Sequence, residues 1–361
     1  MLFWILAGCT VLIALSTLAS ILTHEGWWVR VHDFPRLQLA AISALIALLA
    51  IGLLDRTSVP TWVLVIANAL CMLYQGWWIL PYTRLVPTEV HRAAPGSRDN
   101  AIRVLNTNVL TPNRRARQLL DIIQDNNPDI VVALETDRWW QTQLDALDAD
   151  YPYSLKCPLD NLYGMLVYSR LPFTDQKIQY LVEDQVPSAH ALVTLPSGAQ
   201  VQFHALHPAP PSPTENEAST ERDAELVIVG RAAAEARYPT IISGDLNDVA
   251  WSATTRLFRK VSGLLDPRVG RGMFNTFHAS YPFIRWPLDH LFHSDHFTLV
   301  QMKRLPFFGS DHFPILVELA LQPQYGKDQP QPETDQDDRR WASEKAAEEE
   351  VAKTDVHRPG E

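Results

Sequence analysis

The stretch "GSDHFPILVE", residues 309–318, places an acid and an imidazole directly before an apolar run. The pair is Asp311 and His312, and the run after it, "FPILVELA", is predicted to be a buried strand. A polar loop is the simplest explanation for such a pair at the start of a strand. The alternative is a site built where several strands end, and the rest of the chain decides between them.

The pattern of strands and helices around this stretch predicts a layered α/β (α+β) domain over residues 101–321. Two segments have helical periodicity, "NRRARQLLDIIQDNNP" at residues 113–128 and the segment 215–237. Nine further segments are predicted to be strands: residues 101–109, 129–135, 163–170, 190–195, 199–207, 239–248, 287–294, 297–304 and 313–320. This order favours sheets that are covered by helices.

Polar side chains recur where these strands begin or end. They are Asn106, Asn108, Glu135, His207, Asp245, Asn247, Asp289, Asp311 and His312. Burying an unpaired charge is costly, so a group of such side chains needs compensation. One bound Mg²⁺ would supply it, because carboxylate and amide oxygens suit this hard ion. Each signal is weak alone, and the ordered series carries the prediction.

Composition narrows the class of protein. Hydrophobic residues make up 47% of the 361 residues and charged residues 20%, as in ordinary globular chains. The formal net charge of -10 shows no basic excess of the kind that a non-specific nucleic-acid binder carries. The three cysteines, Cys9, Cys71 and Cys157, lack zinc-ligand spacing, and a single cysteine in the soluble domain excludes a disulfide framework there.

Residues 1–81 are predicted to be a membrane anchor with three transmembrane helices. Three apolar runs, residues 2–22, 37–54 and 60–80, have about the length of ~20 residues that a helix needs to cross a bilayer. Tryptophans flank these runs at positions 27, 28, 77 and 78, where aromatic rings favour the membrane interface. Three buried core helices are the alternative.

The remaining segments are predicted to be a linker and a disordered tail. Residues 82–100 contain Pro87, Pro95 and Gly96 and are assigned to the linker. Residues 322–361 are rich in Gln, Pro, Glu and Asp, a composition typical of disorder. Within them, "RRWASEKAAEEEVAK" is compatible with a short helix but has no apolar face that would dock it.

Seven stretches of the soluble domain follow one another in the order of a known family. They are "VLNTNV", "DIVVALE", "YGMLVYSRLP", "ALHPAPP", "SGDLND", "LDHLF" and "GSDHFP". The domain thereby resembles the endonuclease/exonuclease/phosphatase superfamily, the group of exonuclease III, deoxyribonuclease I, neutral sphingomyelinases and inositol-polyphosphate 5-phosphatases. The resemblance implies a four-layer sandwich of two packed mixed β-sheets flanked by helices. It also implies phosphoester hydrolysis with Mg²⁺ or Mn²⁺.

The resemblance further implies which residues lie beside the metal ion. Glu135 looks like the main metal-binding carboxylate. Asn106 and Asn108 match the Asn-x-Asn of the first strand, which lies beside the ion in the family. Asp311 looks like a second carboxylate on the metal side of the site.

The other matching residues imply the catalytic groups. Asp245 looks like the residue that positions or deprotonates the attacking water, and Asn247 would hold a phosphate oxygen. His312 would contact the scissile phosphate, oriented by Asp289. His207 matches the histidine that serves the leaving group in deoxyribonuclease-like members. General-base help to water is worth roughly 10²–10⁴-fold in rate, and donors to the phosphate stabilise the charged transition state.

Three functions remain open for such a chain. The first is a phosphatase or phosphodiesterase that acts on a lipid-linked or membrane-proximal phosphate. The second is a membrane-tethered nuclease that cleaves DNA or RNA, and the third is a scaffold with an inactive site. The candidate substrate contacts, common to the first two, are Arg271, Arg285 and Trp286.

The anchor predicts a location in a bacterial cytoplasmic membrane but leaves the side of the soluble domain open. Arg30 and Arg36 share a side of the membrane with Arg84 and Arg92, against Arg56 on the other side. The positive-inside rule then favours a cytoplasmic domain. Three-span bacterial relatives of the glycopeptide-resistance type, linked to lipid-diphosphate hydrolysis, carry the domain outside the cell and favour the opposite side.

Overall fold

The computed structural model describes residues 1–96 and 98–361. The chain divides into two compact units. The anchor unit consists of Met1–Val86 together with Pro211–Ser219, and the catalytic-type unit consists of Pro87–Pro210 together with Thr220–Glu361. The predicted anchor therefore receives a second stretch of chain, which comes from the middle of the sequence.

The anchor unit is a bundle of apolar helices. Its helices are α1 (Leu2–Ala19), the short α2 (Trp27–Arg30), α3 (Arg36–Leu53) and α4 (Val59–Ile79). Three segments are long and apolar enough to cross a membrane, with mean hydropathies of 2.2, 2.0 and 1.7 for Leu2–Ala19, Arg36–Leu53 and Val59–Tyr82. Most of their large apolar side chains point outward, as the hydrocarbon region of a bilayer allows.

Polar contacts join the first and last long helices of this bundle. Asn68 Nδ2 donates to Thr10 Oγ1 over 2.8 Å, and Gln75 Nε2 donates to Thr17 Oγ1 over 3.1 Å. All four side chains are buried. Such hydrogen bonds favour helix association in lipid, where no water competes for the donors.

Two mixed β-sheets form the catalytic-type unit. The six-stranded sheet has the order β10-β11-β1-β2-β4-β3 and the five-stranded sheet the order β5-β6-β7-β8-β9. The strands are β1 (Ala101–Asn108), β2 (Ile130–Leu134), β3 (Tyr153–Cys157), β4 (Met165–Ser169), β5 (Phe173–Tyr180), β6 (Pro187–Thr194), β7 (Gln200–Leu206), β8 (Thr240–Asp245), β9 (Asp289–His293), β10 (Phe297–Arg304) and β11 (Ile315–Leu321). All nine predicted strands are present, and β3 and β5 are additional.

The helices cover the outer faces of the two sheets. They are α5 (Ala116–Asn126), α6 (Arg138–Leu144), α7 (Thr220–Ala234), α8 (Ala253–Ser262) and α9 (Gln336–Glu348). Side chains alternate between faces along each strand, so Val104 enters the core between the sheets while Leu105 packs with α5 and α6. On the second sheet, Phe203 joins the central core and Leu206 packs with α7 and α8. The predicted four-layer sandwich is thus confirmed.

Strand pairing gathers the predicted site residues at one edge of the sandwich. β1 and β2 are parallel, with Asn108 opposite Leu134, the residue before Glu135. β8 and β9 are antiparallel, with Asp245 opposite Asp289. Each polar group therefore leaves its strand at the same edge, which is the arrangement that a shared site requires.

The helix predicted over residues 215–237 is shorter than expected. It begins at Thr220, because residues 217–219 belong to the anchor unit and pair there with residues 25–27, at the start of α2. Trp27 N donates to Glu217 O over 3.0 Å, and Ser219 N donates to Glu25 O over 3.0 Å. These backbone bonds, together with a β-bridge between Gly26 and Ala218, engage residues 217–219 and override their helical pattern.

The prediction of a simple linker over residues 82–100 is wrong for its middle part. Val90 is fully buried in the core between the sheets. Glu89 pairs with Arg259, and its Oε2 accepts a hydrogen bond from Asp266 N over 2.8 Å. The backbone of Arg92 forms an isolated β-bridge with that of Leu299. These residues therefore belong to the folded unit. The Pro and Gly content of the segment predicted a linker, although the segment contains a buried valine and one member of a partly buried ion pair.

The prediction of a disordered tail is also wrong for residues 336–348, which form α9. Its Ala342 and Ala346 pack into the cluster with α7 and α8, and Lys345 is buried beside them. The Asp335 side chain caps the helix in a capping box with Asp338. The docking face escaped prediction because it consists of small alanines and a lysine, and the lysine becomes acceptable only through a buried carboxylate.

Candidate active site

Asn108 joins the two halves of the site. It is the last residue of β1, and its Nδ2 donates to Glu135 Oε1 over 2.7 Å and to Asp245 Oδ2 over 3.2 Å. Its Oδ1 accepts from Leu110 N over 3.0 Å, which fixes the amide orientation. One buried amide therefore holds a carboxylate from each sheet at the edge of the sandwich.

Glu135 follows β2 in a left-handed backbone conformation with φ 57°. A non-glycine residue in this region is strained, and strain of this kind collects at functional sites. The Glu135 carbonyl accepts from Thr111 Oγ1 over 2.6 Å, which secures the turn. Burial raises the pKa of the Glu135 carboxyl to about 7, although the Asn108 hydrogen bond and the His312 charge oppose this rise.

His312 lies between two buried aspartates. Its Nδ1 bonds to Asp289 Oδ2 over 2.7 Å, and its Nε2 lies 3.5 Å from Asp245 Oδ2. Burial alone would lower the pKa of His312, but the charges of Asp289 and Asp245 outweigh burial and raise it to about 10. The imidazole is therefore protonated at neutral pH, and both of its nitrogens are donors.

Asn106 supports Asp289 rather than Glu135. Its Nδ2 donates to Asp289 Oδ1 over 3.0 Å, so both Asp289 oxygens are engaged. Its Oδ1 is buried and has no hydrogen-bond partner among the residues that the structure describes. The two asparagines of β1 therefore have different partners. Asn106 bonds to Asp289, and Asn108 bonds to Glu135 and Asp245.

Asp245 and Asn247 form a tight turn after β8. Asn247 N donates to Asp245 Oδ1 over 3.0 Å, and Asn247 has a left-handed backbone with φ 51°. Its Nδ2 donates to the Pro208 carbonyl over 3.0 Å, which leaves its second amide hydrogen for a ligand. Burial raises the pKa of the Asp245 carboxyl, against the opposing charge of His312. The backbone N–H of Asn247 thus holds the Asp245 carboxylate in place within the turn.

His207 lies just beyond β7 and is buried against the Tyr163 ring, with ring centroids 5.4 Å apart. Burial lowers the pKa of its imidazole to about 4, so it is neutral at pH 7. Its Nδ1 has no hydrogen-bond partner within the described part of the chain. A neutral imidazole with an unengaged nitrogen is suited to a hydrogen bond with substrate.

Three residues near His312 were missed by the sequence. Ser310 Oγ donates to Asn108 O over 2.8 Å and accepts from His312 N over 3.0 Å, so it links β1 to the Asp-His pair. The Phe277 ring lies against His312, with centroids 4.9 Å apart. Thr276 Oγ1 accepts from Asp289 N over 3.2 Å. The serine directly before "DH" was a signal for Ser310, and the aromatic-rich stretch of residues 274–287 was a signal for Phe277, whereas Thr276 had none.

The predicted substrate contacts have structural partners. Arg271 donates to the carbonyls of Pro267 and Val90, so it secures the segment before β1. Arg285 donates to Ala279 O over 2.8 Å and lies over the Phe313 ring. Trp286 stacks on Phe277, with centroids 6.2 Å apart. Arg285 and Trp286 thus shape the loop beside His312, whereas these two bonds of Arg271 go to the carbonyls of Pro267 and Val90.

The donor set of the site fits a hard divalent cation. Asp245, Asp289 and His312 offer ligand atoms that lie within 4.8 Å of one another, but a protonated histidine is a poor ligand. Burial raises the pKa of the Glu135 carboxyl, which accepts from Asn108, and carboxylate and amide oxygens of this kind suit such an ion. The Asp311 charge contributes to that rise.

The fold and these residues define a class of two-sheet hydrolase domains with acids, amides and imidazoles at one sheet edge. The family model described as "Endonuclease/Exonuclease/phosphatase family" matches residues 102–312, more than half of the chain. The chain belongs to the endonuclease/exonuclease/phosphatase family. The family resemblance seen in the sequence is thereby confirmed, and members of this family are phosphoester hydrolases.

Solved structures show the same fold at low sequence identity. A D. rerio TDP2 structure with single-strand DNA product is 18% identical, with a TM-score of 0.51, and the match covers 61% of this chain and 98% of that chain. An endonuclease/exonuclease/phosphatase from Beutenbergia cavernae is 20% identical, with a TM-score of 0.50 and coverages of 62% and 72%. The human Nocturnin catalytic domain with sulfate is 16% identical, with a TM-score of 0.50 and coverages of 62% and 95%. No curated protein matches the chain in sequence.

Proposed function

We propose that this chain is a membrane-anchored, Mg²⁺-dependent phosphoester hydrolase that acts on a lipid-linked or membrane-proximal phosphate. The observation that supports a hydrolase is the pairing of Asp245 with a protonated His312. Asn108 bonds to both Asp245 and Glu135 and so holds this pair beside Glu135. Mn²⁺ is expected to replace Mg²⁺ because the same oxygen ligands accept both ions.

Each residue of the site has a role in this reaction. Asp245 accepts a hydrogen bond from the attacking water and orients it toward phosphorus. His312, kept protonated by Asp289, donates from Nε2 to a phosphate oxygen and stabilises the growing negative charge. Asn247 donates its free amide hydrogen to the same phosphate group. His207, neutral at pH 7, donates to the leaving oxygen.

Glu135, with Asn108 and Asp311, would hold the metal ion. A bound Mg²⁺ supplies neutralisation of the charge that develops on the phosphoryl group and its leaving oxygen. Asn106 positions Asp289, and its buried Oδ1, which has no hydrogen-bond partner among the described residues, is a further candidate oxygen for the ion. These assignments explain why asparagines lie among the carboxylates of the site. Their amides donate hydrogen bonds to the carboxylates without adding charge.

Two features support a substrate at the membrane. The first is the anchor, with its three helices of sufficient length and apolarity. The second is the loop beside His312, whose tip exposes Tyr281, Phe283 and Ile284, with Phe283 86% exposed. Neighbouring exposed apolar side chains at the rim of a site are typical of contact with lipid or another apolar partner. Arg285 follows this tip directly.

A tethered nuclease is the second candidate. The D. rerio TDP2 structure, which shares the fold, holds a single-strand DNA product. Arg114 after β1 would contact a nucleic-acid backbone in such an enzyme, but it pairs with Asp137 over 2.6 Å and lies over the Trp139 ring. The basic residue nearest to the strand end is therefore already engaged, which favours the first candidate. An inactive scaffold would not need the complete set of paired acids, amides and imidazoles.

The test uses full-length protein in detergent, with Asp245→Ala as the blank. A prenyl diphosphate and a single-stranded DNA are each offered with Mg²⁺, and released phosphate and shortened strands are measured. Phosphate release by the wild type alone supports the proposal. DNA cleavage alone replaces it with the nuclease. Equal rates for the wild type and for Asp245→Ala or His312→Ala would contradict the assignment of the site.

We further propose a bacterial cytoplasmic membrane as the location, with the catalytic-type unit in the cytoplasm as the arginine distribution favours. Cys157 reports the side, because Cys9 and Cys71 lie within the apolar helices. Labelling of Cys157 by a membrane-impermeant maleimide only after cell lysis is expected. Labelling in intact spheroplasts, absent in Cys157→Ser, would place the unit outside.

A further inference from the structure

A buried cluster of four charges lies behind the loop that carries Asp245 and Asn247. It consists of Lys345 from α9, Arg222 and Asp223 from α7, and Asp248 from the loop after β8. Their side chains are 0–4% exposed. Two cations and two carboxylates at this depth balance each other, which is the condition under which buried charges are tolerated.

The contacts run in one line from the tail to the site. Lys345 Nζ lies 2.5 Å from Asp223 Oδ2, and Asp223 Oδ1 accepts from both Nε and Nη2 of Arg222, over 3.1 and 2.8 Å. Arg222 Nη1 then donates to the Asn247 carbonyl over 2.9 Å. The guanidinium thus holds the backbone of the residue that is strained at φ 51°.

The same cluster secures the far end of the loop. Arg222 Nη2 lies 3.6 Å from Asp248 Oδ2, and Asp248 accepts from Ser252 Oγ and, over 3.3 Å, from Thr255 Oγ1. Without Lys345 two carboxylates would share one guanidinium. The excess buried negative charge would compete for Arg222 and loosen its bond to Asn247, since an unpaired buried charge is strongly unfavourable.

We propose that Lys345 is a positioning residue for the site: through Asp223 and Arg222 it fixes the loop of residues 245–252 that presents Asp245 and Asn247. The family match ends at residue 312, so this support comes from a part of the chain that the family model does not include. The inference rests on the proposed function for its effect on turnover, but its effect on loop order is independent of it.

The test compares Lys345→Met with Lys353→Met in the full-length protein. Lys353 is the matched control because it pairs with Glu235 at the surface of the same tail, with its side chain 42% exposed. Lys345→Met is expected to lower kcat about tenfold or more with KM changed less than twofold, and to speed amide hydrogen exchange in residues 245–252. Lys353→Met is expected to change neither.

A double-mutant cycle guards against a variant that merely unfolds. Asp223→Asn removes the carboxylate that Lys345 contacts in the cluster, so adding Lys345→Met to it is expected to cost less than twofold in kcat. Additive losses would overturn the relay, as would wild-type exchange in the 245–252 loop of Lys345→Met. If the wild type hydrolyses no phosphoester, the proposed function fails, while the exchange difference still decides the positioning role.

Discussion

At the scale of single residues, the charge of Asp289 determines the state of His312. Asp289→Asn keeps one oxygen that can accept from His312 Nδ1 but removes the charge that, with Asp245, raises the pKa of His312 to about 10 against the effect of burial. The imidazole of the variant will therefore lose its proton at a lower pH. We expect the ratio of wild-type to variant kcat to rise from pH 6 to pH 9, reaching about 100-fold or more.

The ratio is the quantity to measure because titration of other groups, such as Glu135, affects both enzymes. The exposed Asp121→Asn, which disturbs only the surface pair with Arg117, serves as the control. A ratio that stays flat over this pH range would remove Asp289 from the control of His312.

Glu135 is predicted to determine metal affinity. Glu135→Gln retains an oxygen that can accept from Asn108, but it loses the charge that a hard cation prefers. We expect the Mg²⁺ concentration for half-maximal activity to rise about tenfold or more, and excess EDTA to stop the wild type until Mg²⁺ or Mn²⁺ is added. An EDTA-resistant wild type, or a variant with unchanged Mg²⁺ dependence, would exclude this role.

The sequence suggested the members of the site, and the family resemblance implied that Asp289 orients His312, but the partners of the two asparagines were not visible. Polar side chains at the ends of buried strands were visible because nothing else explains Glu135 or Asp245 after an apolar run. The sequence could not show that Asn106 bonds to Asp289 while Asn108 bonds to Glu135. Side-chain pairing across two sheets depends on how the sheets pack, and Phe277 reaches His312 from a loop without any periodic pattern.

At the scale of secondary-structure elements, strands β6 and β7 contain a buried histidine pair. His190 and His204 lie opposite each other, with their Nδ1 atoms 2.7 Å apart. Burial lowers the pKa of both, to about 3 for His204, against ~6.5 in the unfolded chain. The unfolded state therefore binds protons first as the pH falls, and stability is lost below about pH 6.5.

We expect the thermal midpoint of the wild type to fall between pH 7 and pH 5, and His204→Gln to flatten this slope because it removes one titrating group. The half-buried His278→Gln is the control that should keep the wild-type slope, since His278 lies outside the pair. Parallel slopes for the wild type and His204→Gln would show that the buried pair does not govern acid stability.

The elements that escaped prediction have physical reasons. β5 carries polar residues over most of its length and forms the edge of the five-stranded sheet, so it has little apolar alternation. α9 docks through alanines and a paired lysine. In contrast, β2 and β8, which are buried on both faces, form apolar runs that the sequence shows directly.

At the scale of the whole molecule, the proposed substrate requires that the exposed loop tip engages lipid. Phe283→Ser removes an 86% exposed ring without touching the contacts of Arg285 or Trp286 that are described above. We expect turnover of a phosphate lipid in vesicles to fall about fivefold or more, and turnover of a short-chain soluble ester to stay within twofold. Equal losses on both substrates would assign Phe283 to the site itself rather than to the lipid surface.

The discontinuous anchor unit has a practical consequence for anyone who prepares the enzyme without its apolar helices. A shortened chain that begins at Pro87 keeps the whole family match but removes residues 25–27, which are the backbone partners of residues 217–219 within the stretch Pro211–Ser219. That nine-residue stretch starts four positions after His207 and would lose these backbone bonds. Rates from such a soluble fragment would therefore describe an enzyme in which these contacts are missing, and the intact chain is the proper reference for its specificity.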